Sequence, residues 1–280
     1  MTVIISPEER FAEPRGARIL IVGPNGVGKT SLLRGLTASR TLFVDVEHGG
    51  LAIAEIPVPH ARPETWPEIR DLIARVAGPN RSFAPHEPYS QAHFDRVGGF
   101  LPDVEHHQNI FFDTVTAAAR LCFRWASAQP ECTTERGRFD QRAAYGVHAR
   151  EFLLALHHLQ SARGLNVILI GALETVTDDY GRTEHRLQAE GQRVPREIGG
   201  IVDVVATMGW LSFDGDSKPV RAFVCTSPNP WNYPAKDRSG KLDQIERPDL
   251  GALIAKVLPP RASHGATAEP QAPQSSIPVQ

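Results

Sequence analysis

The stretch Ile19–Leu33, ILIVGPNGVGKTSLL, constrains the architecture more than any other part of the chain. An apolar run, ARILIVG (17–23), breaks into a glycine-rich turn, then Lys29-Thr30-Ser31, then apolar residues at helical spacing. Unbroken apolar character predicts a strand covered on both faces, the kind found in parallel sheets flanked by helices. Residues 30–36 predict a helix and TLFVDVE (41–47) a second strand, so the chain opens with a βαβ unit and parallel pairing.

The same pattern continues downstream. NIFFDTVT (109–116) and NVILIGAL (166–173) read as a third and a fourth buried strand. Helices are expected over 117–127 and 147–163, the latter with Ala149, Phe152, Leu153, Leu156 and Gln160 on one face. Later strands are expected at 201–211 and 220–227. The proline-rich segment 57–108 predicts one short helix at 64–76 and otherwise loop. Residues 128–146 and 174–197 read as polar loops. The expected organisation is a lead-in (1–16), one α/β domain (17–258) and a Pro/Ala/Ser/Gln tail (259–280) with too little to bury to be ordered.

Composition narrows the function classes. The 280 residues carry a formal net charge of −2, so no global basic field exists and nucleic-acid contact would need local patches. No apolar run approaches a membrane span, and the N-terminus lacks the apolar core of a signal peptide. Cys122, Cys132 and Cys225 are widely spaced and form no CxxC pair, which reads as reduced thiols in a cytoplasmic protein. His106-His107 and His157-His158 are adjacent pairs ill-suited to sharing one metal, and surface or interface roles are expected for them. The four tryptophans are dispersed, with packing as the expectation.

Gly23-Pro24-Asn25-Gly26-Val27-Gly28-Lys29-Thr30 fits G-x-x-x-x-G-K-[ST] at every fixed position, with Ser31 following. The glycines let backbone N–H groups turn inward onto phosphate oxygens without a Cβ in the way. Lys29 supplies a point charge for the outer phosphates, and the Thr30 hydroxyl a ligand for Mg²⁺. Asp113 ends the third strand, where a carboxylate beside the loop can hold the metal's shell, although a helix N-cap would also suit it. Asp45 and Glu47 alternate onto one side of the second strand's end. Glu47 is placed to orient and deprotonate an attacking water, or equally to sit in a solvated turn before Gly49-Gly50.

TLFVDVEHGG resembles the segment of RecA-type ATPases in which the second strand ends in Asp-x-Glu-His, with that glutamate as catalytic base; the match falls on Glu47. AAYGVHAREFLLALHHLQSARGLNVILIGALE (143–174) and YPAKDRSGKL (233–242) are similar to signatures of phage and prophage RecA-like ATPases of the Sak single-strand annealing group. The likeness covers about residues 17–256. It implies a RecA-like P-loop NTPase core: a mostly parallel central sheet flanked by helices, with antiparallel C-terminal strands. The activity implied is hydrolysis of ATP with Mg²⁺, linked to binding and annealing of single-stranded DNA in recombination. RecA proteins carry a glutamine at the end of their fourth strand; the matching positions here are Gly171-Ala172-Leu173-Glu174.

Lys236-Asp237-Arg238-Ser239-Gly240 reads K-x-R-x-G. RadA and DnaB-type ring helicases carry a similar hairpin whose Lys and Arg reach the γ-phosphate of the neighbouring subunit. The same residue types also make an ordinary solvated turn. The loops that bind DNA in RecA-fold proteins correspond to 128–146, with Arg136, Arg138 and Arg142 interleaved by Phe139 and Tyr145, and to 174–197, with Arg182, Arg186, Arg193 and Arg196. The second also holds Asp178, Asp179, Glu184 and Glu190, so an ordinary mixed-charge loop fits it as well. The partners expected are single-stranded DNA, further copies of the chain in a ring or filament, and a single-strand binding protein, with no membrane. A DnaB/RadA-like ring motor and a P-loop small-molecule kinase are the alternatives; the absence of N-K-x-D and LSGGQ-type sequences argues against GTPases and transporter ATPases.

Overall fold

The computed structural model describes residues 4–162, 164–177, 179–213 and 218–258. Helix α1 (Pro7–Ala12), capped by a reciprocal Ser6–Glu9 box, precedes strand β1 (Arg18–Gly23). Strands β2 (Thr41–Asp45) and β3 (His60–Ala61) and helices α2 (Trp66–Ala77) and α3 (Gln91–Arg96) lead to β4 (Asn109–Asp113). Helices α4 (Val115–Ser127) and α5 (Gln141–Leu159) follow, then β5 (Asn166–Thr177), β6 (Thr183–Leu187) and α6 (Arg193–Ile201). Strands β7 (Val204–Leu211), β8 (Val220–Val224), β9 (Lys236–Asp237) and β10 (Ile245–Glu246) and helix α7 (Leu250–Val257) complete it. The tail 259–280 lies outside the described residues, as does Asp178.

The sheet runs β10-β8-β7-β1-β5-β4-β2-β3, with β6 added to β5 and β9 to β7. Pairing is parallel from β7 through β3 and antiparallel where β8, β9 and β10 join, which is the class expected. Strand alternation divides the core between the two faces. Leu20, Val22, Val44, Ile110, Phe112, Val167 and Leu169 face α2, α4, α5 and α6. Ile19, Ile21, Phe43, Phe111, Ile168 and Ile170 face Leu32 and Leu33 and helix α7. Burial on both faces explains why these strands read as unbroken apolar runs.

Three expectations are corrected. Residues 30–35 form a 3₁₀ turn rather than an α-helix. Gly35 is pressed against the start of α7, where a Cβ on Gly251 would lie 2.5 Å from the Gly35 carbonyl oxygen, and the segment stops there. So short a segment closes i→i+3 bonds, as Leu36 N–H does to Leu33 O at 3.0 Å. The polar segment 174–197 is not a loop: β5 continues to Thr177 and turns back as β6, with Leu173 opposite Leu187 and Glu174 opposite Arg186. A two-stranded arm with polar residues on most positions lacks the apolar alternation by which a strand is read. Helix α5 begins at Gln141, because Asp140 accepts from the N–H groups of Arg142 and Ala143 and caps it.

His158 is likewise inside, not at the surface. Its ring stacks on Tyr89 at 4.2 Å, and its Nε2 donates to Gly78 O at 2.8 Å. Its pKa is lowered, chiefly by burial. Through Tyr89 and His158 the proline-rich segment packs onto the domain instead of standing apart. The three cysteines are buried free thiols. No helix among the described residues is long and apolar enough to cross a membrane.

Phe111 is fully buried in the middle of β4 with its ring 6.0 Å from Phe43. Phe111→Ala is expected to lower the unfolding free energy by about 3–5 kcal/mol, read from the urea midpoint at constant m-value.

Candidate nucleotide site

The carboxyl ends of β1, β4 and β2 converge on one edge of the sheet, where ligands collect in open α/β folds. The turn after β1 carries residues 23–30. Gly26 and Gly28 hold φ values of +77° and +95°, backbone that a side-chain-bearing residue rarely adopts. Lys29 is almost wholly buried and folds back, donating from Nζ to Gly23 O at 2.8 Å and Pro24 O at 2.9 Å. Its pKa is lowered by burial, against the opposing pull of Asp113 and Glu47.

Strand β5 separates β1 from β4, yet the turn after β1 reaches across it. The Thr30 hydroxyl donates to Asp113 Oδ2 at 2.6 Å. The structure thus brings together two side chains 83 residues apart that were assigned to the metal. The Asp113 pKa is raised to about 6, chiefly by burial and also by Glu47 and Asp45, against the Thr30 hydrogen bond and Lys29, which lower it. A buried carboxyl crowded by two others favours a nearby cation. Among the described residues no group of three His, Cys, Asp or Glu side chains could hold a metal. A site of one hydroxyl and one carboxylate suits Mg²⁺, which takes its remaining ligands from phosphates and water. Asp113 is not the helix cap; Thr114 is, accepting from Ala117 N–H at 3.0 Å. The Asp113–Thr114 peptide is cis.

Strand β2 ends at Asp45, earlier than expected, so Asp45 and Glu47 do not act as a pair. Asp45 is buried, accepts from Gly49 N–H at 2.9 Å and lies 3.6 Å from Arg62. Glu47 is exposed beyond the strand end, where the Thr114 hydroxyl donates to its Oε1 at 2.8 Å. That contact, which sequence spacing did not suggest, ties Glu47 to the residue after Asp113. At the fourth strand's end, Glu174 is occupied by Arg186 at 2.7 Å.

The K-x-R-x-G residues lie elsewhere. β9 pairs with the start of β7, Val205 opposite Lys236, at the amino ends of the parallel strands. Lys236 Nζ donates to Gly199 O and Val202 O at 2.6 and 2.9 Å. Arg238 donates to Asp203 Oδ1 at 2.9 Å and Gly200 O at 3.1 Å. The length of β1, roughly 17 Å at about 3.3 Å per step, separates this edge from the chain's own glycine-rich turn.

The arginines expected at DNA fall into two groups. Arg136 and Arg138 are exposed around a tight turn closed by Gly137 N–H to Thr134 O, and Arg142 is exposed on the first turn of α5. Arg182 lies against the Tyr180 ring in the β5–β6 turn, Arg186 is on β6, and Arg193 and Arg196 are on α6, with Arg193 paired to Glu197 at 2.6 Å. Tyr145 is committed to stacking on Phe123 at 4.7 Å, whereas Phe139 is exposed. Tyr145 and Arg193 also line one cavity of about 500 Å³, so the two segments meet there.

Comparison with known proteins agrees with this geometry. The family described as AAA domain matches residues 15–239, well over half of the chain, and the chain belongs to it. With its glycine-rich turn at the carboxyl edge of a parallel sheet, it is a nucleotide-binding protein of the P-loop ATPase class. No curated protein matches it. Among solved structures it is similar to a KaiC-like protein of the archaeon Pyrococcus horikoshii OT3, at 12% identity and a TM-score of 0.39 over 76% of this chain and 79% of that one. It is also similar to the RadB recombinase, at 16% identity and a TM-score of 0.38 over 76% of this chain and 81% of that one. The flagellar accessory protein FlaH of Methanocaldococcus jannaschii is similar at 12% identity and a TM-score of 0.35, over 83% of this chain and 84% of that one.

Asp113→Asn removes the carboxylate that accepts from Thr30. It is expected to raise the Mg²⁺ concentration for half-maximal nucleotide turnover at least tenfold while leaving nucleotide binding in EDTA within twofold of the wild type.

Proposed function

We propose that the chain hydrolyses Mg-ATP and couples the nucleotide cycle to single-stranded DNA, as a RecA-like protein of the Sak annealing group. The observation that carries the hydrolytic reading is the Thr30–Asp113 contact at 2.6 Å, with Glu47 held beside it by Thr114. The backbone N–H groups of residues 26–30 cradle the phosphates, and Lys29 exchanges the Gly23 and Pro24 carbonyls for phosphate oxygens. Thr30 and Asp113 would hold Mg²⁺, which, when bound, neutralises charge on the phosphate oxygens. Thr114 engages one oxygen of Glu47, leaving the other to orient a water and accept its proton as the water oxygen bonds to the γ-phosphorus and the bond from that phosphorus to the β,γ-bridging oxygen breaks, so that ADP and inorganic phosphate leave.

Lys236 and Arg238 face away from their own nucleotide turn, so any contact with the γ-phosphate comes from a neighbouring copy in a ring or filament. Leaving Asp203, Gly199, Gly200 and Val202 would then accompany assembly. Contact with DNA is assigned to the exposed Arg136, Arg138, Arg142 and Phe139, with Arg182, Arg186, Arg193 and Arg196 around the β5–β6 arm and α6. Arginine beside an exposed aromatic suits backbone-plus-stacking recognition of single strands.

Lys29→Ala is expected to abolish ATP turnover, and Glu47→Gln to retain ATP binding while lowering kcat at least a hundredfold, measured by phosphate release. Single-stranded DNA should stimulate the wild-type rate, with the stimulation fading from 50 to 200 mM salt. A DNA-insensitive rate that responds instead to a small phosphoryl acceptor would replace this reading with a kinase.

A further inference from the structure

Strands β7 and β8 leave the core directly beside the phosphate-binding turn. Met208 and Phe223 are opposite each other and buried on the face that also holds Val27. Two residues after Met208 in β7 and two residues before Phe223 in β8, on the same face, stand Trp210 and Arg221, again opposite each other. Trp210 is 58% exposed, and the Arg221 guanidinium carbon lies 5.8 Å from its ring centroid. Among the described residues no carboxylate lies within ion-pair reach of Arg221.

The guanidinium instead points at Gly28. A Cβ built on Gly28 would sit 2.5 Å from Arg221 Nη1, and the nearest atom beyond that guanidinium would be the Met208 methyl at 4.0 Å. The glycine therefore opens a space against the backbone of the glycine-rich turn, and it is occupied by a cation that no carboxylate among the described residues pairs. An indole face orients a guanidinium by cation–π attraction, and the guanidinium fork matches two phosphate oxygens.

We propose that Arg221 is a second cation of the nucleotide site: it donates to a phosphate of a nucleoside di- or triphosphate seated in the glycine-rich turn, and Trp210 is the positioning residue that holds it over Gly28. This rests on the reading of residues 23–30 as a phosphate-binding loop. Unlike Lys236 and Arg238, Arg221 serves the nucleotide of its own chain and needs no partner copy.

The test is equilibrium binding of ATP and ADP, and competition by inorganic pyrophosphate, with the full chain and variants that keep the wild-type Tm. Arg221→Ala should weaken ATP, ADP and pyrophosphate each about tenfold or more, and Arg221→Lys less, since an ammonium keeps the charge but not the fork. Trp210→Ala should weaken ATP about threefold, and Trp210→Phe should restore it. Arg221→Ala and Arg221→Lys both binding ATP within twofold of wild type would overturn the proposal while leaving the loop assignment standing, as would loss of nucleotide binding with pyrophosphate competition unchanged. A folded wild-type chain that binds neither ATP nor ADP would overturn both. Should Arg221→Ala fail to fold, Arg221→Lys at wild-type affinity, together with Trp210→Ala at wild-type affinity, decides against it.

Discussion

The parallel ladder β1-β5-β4 sets the position of everything that follows. β5 pairs with β1 so that Ala172 is level with Gly23, and with β4 so that Ile170 is level with Asp113. Asp113 thus ends two residues below the mouth of the glycine-rich turn, in the space onto which that turn folds. A one-residue slip in either pairing would turn Asp113 to the opposite face and part it from Thr30. The fully buried aliphatic rows on both faces, Ile19 and Ile21 on one and Leu20 and Val22 on the other, make such a slip costly.

Around that ladder the electrostatics centre on Asp113. Glu47 and Asp45 both act on the buried Asp113 across a short strand edge, and Lys29 lies beside it as a buried positive charge. Thr30 and Thr114, each donating to one of these carboxylates, hold Asp113 and Glu47 in fixed directions. Two threonines one step beyond a lysine and an aspartate thus do the orienting that a longer helix after the turn would not supply, since that segment is a short 3₁₀ turn.

The charges farther out are distributed by end of sheet. Arg221 is drawn to the nucleotide edge because β8 is antiparallel to β7 and returns past the same glycines. Lys236 and Arg238 are held at the opposite edge, where the carbonyls ending α6 and the Asp203 carboxylate accept from them. The same chain therefore places cations at both ends of its sheet.

Much of this was legible in the order of residues. Strands buried on both faces announce themselves as apolar runs, and the glycine-rich turn, Lys29, Thr30 and the strand-end Asp113 follow from local chemistry. The β5–β6 arm was not legible, because a polar two-stranded arm has no apolar period and depends on pairs such as Glu174–Arg186. Nor was the early start of α5, which turns on one capping carboxylate, Asp140. The sequence alone determined the phosphate cradle, the sheet class and the identity of the acids at its strand ends, since each is a property of a few consecutive residues. Only the tertiary structure decided that Thr114 donates to Glu47, that Arg221, beside the Trp210 ring, lies against Gly28, and that Lys236 and Arg238 face away. These depend on strand order and register, which join residues far apart in the chain and leave no period to read.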